Sequence, residues 1–282
     1  MPVDAAVCPR CHAVASGPFP VPVRMPQRMS ALGITLVVLL GLVMLNDVMT
    51  IAVALQRAAL IGDVIENPAT GDFDALNLSD VLTGYTAGGT LLLWLSTGIL
   101  FIVWFAKARS NAVIYAPGSI RHKEPWVVLG WLVPFANLVI PKQIADDVWR
   151  ASDVEGVPAV GGSRPRVSRL ITVWWIAFIV SLAGHQASFI VFDPEASLSG
   201  LQLQARMDAG AATLDLVAAA LAVVFVRRLT ARQEQRSQRL AADLATGMPW
   251  QQAGGWPAAP VPDRPDARAG GSQDVAGAKD FR

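Results

Sequence analysis

The sequence predicts an all-α, polytopic membrane protein. It has four transmembrane helices, a proline-broken re-entrant or interfacial segment between the second and third, and an amphipathic surface helix after that segment. Three observations carry this reading. The 282 residues are 53% hydrophobic and only 16% charged, with mean hydropathy +0.42, more apolar and less charged than a soluble domain. Four apolar stretches reach the roughly 20 residues that a helix needs to cross about 30 Å of hydrocarbon. The lysines and arginines fall in alternate connections, as the positive-inside rule requires.

The spans are expected at Ser30–Leu55, Ala87–Ala106, Leu170–Phe192 and Ala209–Val226. The first follows "PFPVPVRMPQRMS" rather than a basic start with a small-residue cleavage site, so it reads as a retained span. On one side lie Arg10, Arg24 and Arg28 of the leader (1–29), then Lys107, Arg109, Arg121 and Lys123. The same side takes Lys142, Arg150, Arg164, Arg166 and Arg169, and finally Arg227, Arg228, Arg232, Arg236 and Arg239. Only Arg57 and Arg206 fall opposite, which predicts cytoplasmic termini and an acidic outside loop at 56–84.

The same bookkeeping constrains residues 125–141. The basic segments on either side of them belong to one face, whereas a crossing would separate them. Pro134 removes a backbone donor and disfavours helix at Val133, and an opened backbone is tolerated in lipid only where protein or water covers it. A re-entrant or interfacial segment is therefore expected across 125–152, with a kinked fifth span as the alternative. Beyond Pro141 a surface helix is expected, with Ile144, Val148 and Ala151 on one stripe and Trp149 beside them. Lys142–Asp146 and Asp146–Arg150 should pair at i,i+4. Trp126, Trp131 and Trp149 suit the headgroup level. Residues 231–282 are expected to form a cytoplasmic basic helix and then, from Gly247, a disordered Gly-, Pro- and Ala-rich tail.

"WFAKARSNA" at 104–112 and "GWLVPFANLVIPKQIADDVWRAS" at 130–152 resemble the signature of a bacterial membrane family, domain of unknown function 4328, found largely in actinobacteria. The motif-like positions are Trp131, Pro134, Asn137, Pro141, Trp149 and Arg150. The resemblance covers roughly 30–230 and implies a shared membrane fold and a plasma-membrane location. It implies no activity and no catalytic residues.

Two groups of residues carry candidate chemistry. "CPRCH" supplies Cys8, Cys11 and His12, half of a zinc ribbon. The second ligand pair is missing, so a free dithiol without cofactor is expected, with zinc as the alternative. Asp47, His185 and Asp215 lie inside predicted spans, where ionisable residues are costly and usually face a bundle interior or cavity. Measured from the cytoplasmic ends at about 1.5 Å per residue, all three fall roughly 18 to 23 Å deep. They are expected to meet, with Asn46 and Thr90 near the same level. Polar interhelical glue is the plainer role for them, and a proton- or cation-linked site is the alternative.

No H-E-x-x-H helix, P-loop or serine nucleophile in a span appears, so no enzyme is expected. The formal net charge of +1 gives nucleic acid no basic surface. The expected function is a non-catalytic membrane module that meets lipids and assembles with itself or other envelope proteins. The alternative is a small transporter or channel component built on the Asp/His layer.

Overall fold

A computed structural model describes residues 25–153, 168–191 and 197–245. The chain divides into two compact units, Met1–Arg239 and Leu240–Arg282. The contacts given below belong to the first. Of the second, only the end of the last helix is described. Cys8, Cys11, His12 and the tail beyond 245 lie outside the described residues.

Among the described residues there are six α-helices: α1 Ser30–Glu66, α2 Phe73–Tyr115, α3 Trp126–Leu132, α4 Ile140–Ala151, α5 Arg169–Val191 and α6 Leu198–Ala245. No strand occurs among the described residues. Of these described helices four, α1, α2, α5 and α6, are long and apolar enough to cross a membrane. Their large apolar side chains point outward: Ile34, Leu45, Leu92, Ile99, Ile176 and Phe189 are all exposed. In water that surface would be an aggregation hazard; in a bilayer it is the solvated face.

The helices outrun the apolar windows. At 37 residues, α1 is about 55 Å long, and the stretch 56–84, expected as a loop, is helical except at 67–72. A hydropathy window stops where charges begin, whereas the helix stops where its backbone is interrupted. Here "NPATGD" supplies the interruption, and Asp72 caps α2 by accepting from the Ala75 backbone N–H at 2.9 Å. Likewise α6 begins at Leu198 and runs unbroken through the basic residues to Ala245.

The segment after α2 is broken where Pro134 predicts. The helix α3 ends at Leu132, Phe135 takes a left-handed φ of 63°, and one 3-10 turn (Ala136–Leu138) leads into α4, which Pro141 opens. A positive φ at a bulky non-glycine residue is strained and persists only where the surroundings fix it. The two arms are bent by 108°. Gly130 permits their close approach, since a Cβ there would sit 3.0 Å from Ile140 Cγ2.

Two expectations for α4 are corrected. The helix does not lie free on a surface: Ile144, Ala145, Asp146, Asp147, Val148 and Ala151 are buried, and the helix packs on α2, α3 and α5. Lys142 pairs with Asp146 at 2.7 Å as predicted, but Arg150 gives its NH2 group to Asp147 at 2.6 Å and only its Nε to the Asp146 carbonyl. Asp147 also takes Arg121, whose Nε lies 3.0 Å away. That hydrogen bond holds the Arg121 guanidinium above its ordinary pKa. Adjacent acids that read as a solvated face are the anchor of the broken segment.

Around this anchor sits an aromatic core. Trp174 stacks on Phe225 with centroids 4.7 Å apart, and Phe101, Trp104 and Phe105 close the other side. Trp131 inserts edge-on against Phe101, Phe105, Trp175 and Phe178. Some polar tips inside this half are satisfied, whereas Arg109 Nε, Trp131 Nε1, Asp146 Oδ1 and Arg232 Nε have no hydrogen-bond partner. Trp104 Nε1 donates to Thr230 at 3.1 Å, and buried Gln233 joins Asn111, Ser152 and the Ala108 carbonyl.

Candidate functional site

The other half of the bundle is built from small and polar side chains arranged as one stripe per span. On α1 the stripe is Asp47, Thr50, Ala54 and Arg57, spaced i, i+3, i+7 and i+10, so the four share a helix face. On α2 it is Asp80, Thr83, Ala87 and Thr90 with the same spacing. On α5, Ser181, His185 and Ser188 follow at i, i+4 and i+7. On α6 the stripe is Gln204, Asp208, Ala211 and Asp215. The four stripes border a cavity of about 240 Å³, with Asp47, His185, Asp208 and Arg57 contributing to its wall.

The three ionisable residues singled out by sequence gather here. His185 Nε2 lies 3.6 Å from Asp215 Oδ2, and Ser181 donates to Asp215 Oδ1 at 2.8 Å. Asp47 and His185 line the cavity; Asp215 stands behind His185 and is not part of the wall. Asn46 and Thr90 meet as expected, with Asn46 Nδ2 donating to Thr90 Oγ1 at 2.8 Å. Close approach of α1 to α2 at this level needs Gly89, where a Cβ would sit 2.5 Å from Asn46 Oδ1.

Three further groups were not anticipated. Asp208 accepts from Ser188, and Gln204 Nε2 binds both Ser188 and Asp208, at 2.9 and 3.0 Å. Arg57 forms an ion pair with Asp80 across α1 and α2. The seven-residue spacing of Asp208 and Asp215 puts both on one helix face and carried the signal.

Most carboxylates of this layer are therefore engaged: Asp80 by Arg57, Asp208 by Ser188 and Gln204, Asp215 by Ser181 and His185. Asp47 differs. It is only 3% exposed, and its Oδ2 accepts no hydrogen bond. A buried carboxylate oxygen without a donor costs on the order of 1–3 kcal/mol or more, so the cavity beside it is chemically unfinished. With four carboxylates against one guanidinium and one imidazole, the layer favours positive charge. Among the described residues, no three His, Cys, Asp or Glu are grouped to hold a metal ion.

The motif-like residues do not reach this site. Pro134, Asn137 and Pro141 shape the break, Trp131 fills the aromatic core, Trp149 lies under Arg232 at 4.4 Å, and Arg150 binds Asp147. They form the break and its packing in the other half of the bundle. That pattern has a counterpart among known families: the profile described as Domain of unknown function (DUF4328) matches residues 67–231, more than half the chain. The chain belongs to the DUF4328 family. The match holds the broken segment, α5, and α6 as far as Ala231, so His185, Asp208 and Asp215 of this DUF4328 protein fall inside it. Helix α1, with Asp47 and Arg57, precedes it. No curated protein and no solved structure matches the chain.

Proposed function

We propose that this DUF4328 protein is a small transporter or channel component of the plasma membrane, and that it admits a cationic solute or a proton to the cavity between α1, α2, α5 and α6. The observation that carries this reading is Asp47: a buried carboxylate whose Oδ2 has no hydrogen-bond donor, on the wall of a cavity lined by ionisable groups from several spans. No chemical reaction is assigned.

The orientation proposed with it puts both termini in the cytoplasm and the α1–α2 turn outside, supported by the partition of basic residues. The broken segment re-enters rather than crosses. Its arms of 7 and 12 residues are only about 10 and 18 Å long, against about 30 Å of hydrocarbon. Single cysteines at 70, 117, 157 and 200 should label from outside only at 70 and 200. Outside labelling at 157 restores a fifth crossing.

Function is tested in proteoliposomes carrying an internal pH dye, with an imposed gradient. Wild-type protein should pass charge or protons, and Asp47→Asn should slow this by at least about tenfold, the effect of losing one charge-assisted contact. Equal rates would end the transport reading. A second reading keeps the protein a non-catalytic module that assembles with itself or other envelope proteins. The Ser181–Asp215 and Ser188–Asp208 contacts favour it, because such bonds also serve as glue between spans. On that reading, neutral substitutions in the layer leave flux absent and assembly intact.

A further inference from the structure

We infer that the ligand of this cavity is a small organic cation, an alkylammonium or guanidinium compound, held with its charge against Asp47. This rests on the cationic reading above and sharpens it to a substrate class.

Volume is the first ground. A cavity of about 240 Å³ holds roughly eight waters at about 30 Å³ each, or one solute of several heavy atoms. A bare ion would leave most of it unfilled, and a proton needs no cavity. The charge arrangement is the second. Asp47 is 3% exposed with Oδ2 unpartnered, whereas the other carboxylates of the layer already hold donors, so an entering N–H-bearing cation meets one carboxylate oxygen that still lacks a donor. Multidentate oxygen cages suit hard metal ions, and no such grouping occurs among the described residues. An anion finds no free partner in Arg57, which Asp80 already engages.

The wall chemistry is the third ground. The hydroxyls of Thr50 and Thr90 can accept N–H groups, while Ala54 and Ala212 offer a short apolar surface. An N–H-bearing cation on a short carbon stem uses both kinds of surface at once. A fully hydrated inorganic ion gains nothing from the alanines.

The test is equilibrium binding to the full chain in lipid nanodiscs, by titration calorimetry, with ethylammonium, guanidinium, sodium and potassium chlorides at equal ionic strength. Ethylammonium or guanidinium should bind, and sodium and potassium should not. Asp47→Asn should weaken binding by at least about tenfold, while Asp74→Asn, away from the cavity, should leave it unchanged. Ala54→Leu, which fills the cavity but keeps the carboxylate, should also abolish binding. It decides the matter should Asp47→Asn not fold.

Equal binding of sodium or potassium, full binding by Ala54→Leu, or no binding of either organic cation overturns the inference. The outcomes separate it from the transport reading. Ethylammonium binding without flux in proteoliposomes supports the inference and defeats transport. Proton flux lost in Asp47→Asn with no organic-cation binding does the reverse.

Discussion

The two halves of the bundle use the same spans for opposite ends. Around the broken segment, α2, α5 and α6 supply Phe101, Trp104, Trp174, Phe178 and Phe225, whose rings interlock about Trp131. Buried Gln233 and Asn111 there satisfy one another. Toward the α1–α2 turn the same helices present alanine, threonine and carboxylate around an opening of about 240 Å³. In lipid, helices gain little from mutual apolar burial and associate through packing and hydrogen bonds. A half that gives up packing must therefore be held by polar contacts or serve another purpose. The difference teaches that an unpartnered ionisable group means most where close packing has been relinquished around it.

This contrast can be broken by mutation, and the largest effect is expected in the aromatic half. Trp174→Ala removes a ring that is 4% exposed and stacked on Phe225, and should cost about 3–5 kcal/mol, read as a lower unfolding midpoint in mixed-micelle titration. A smaller loss is expected at the bend. Gly130→Val forces side-chain atoms against Ile140 and the ring of Pro141, an overpacking worth about 1–3 kcal/mol by the same titration. The smallest belongs to the cavity half: Thr86→Val, beside open space with its hydroxyl turned to the Thr83 carbonyl, should shift stability by less than about 0.5 kcal/mol. If Thr86→Val costs as much as Trp174→Ala, the two halves are not differently built.

Much of this was legible in sequence where one residue type forces one outcome. Twenty apolar residues demand a helix in lipid, and Pro134 breaks one wherever it falls. Asp47, His185 and Asp215 could be brought together by depth alone, because helical rise converts residue number to distance. Arg57, Asp80 and Asp208 were lost because a hydropathy window ends at the first charges, whereas the helices continue past them. Their stripes at i, i+3 or i+4, and i+7 were present in the sequence, hidden by loop assignments at 56–84 and 193–208. The ion pair that ties buried Asp147 to Arg121, 26 positions away, had no local signal. Nor could sequence show which carboxylate oxygens lack a donor, as Asp47 Oδ2 and Asp146 Oδ1 do; that follows from rotamers and packing across several helices.

The most direct measurement asks whether Asp47 is kept at a cost to the fold. Thermal midpoints of wild type and Asp47→Asn should be compared in nanodiscs without added ligand, since the amide keeps the shape and gives up the charge. A buried carboxylate oxygen without a donor disfavours the folded state, so the account predicts that Asp47→Asn melts at the same temperature or higher while losing flux, the signature of a residue retained for function. A lower melting temperature with flux unaltered would contradict it and make Asp47 one more piece of interhelical glue.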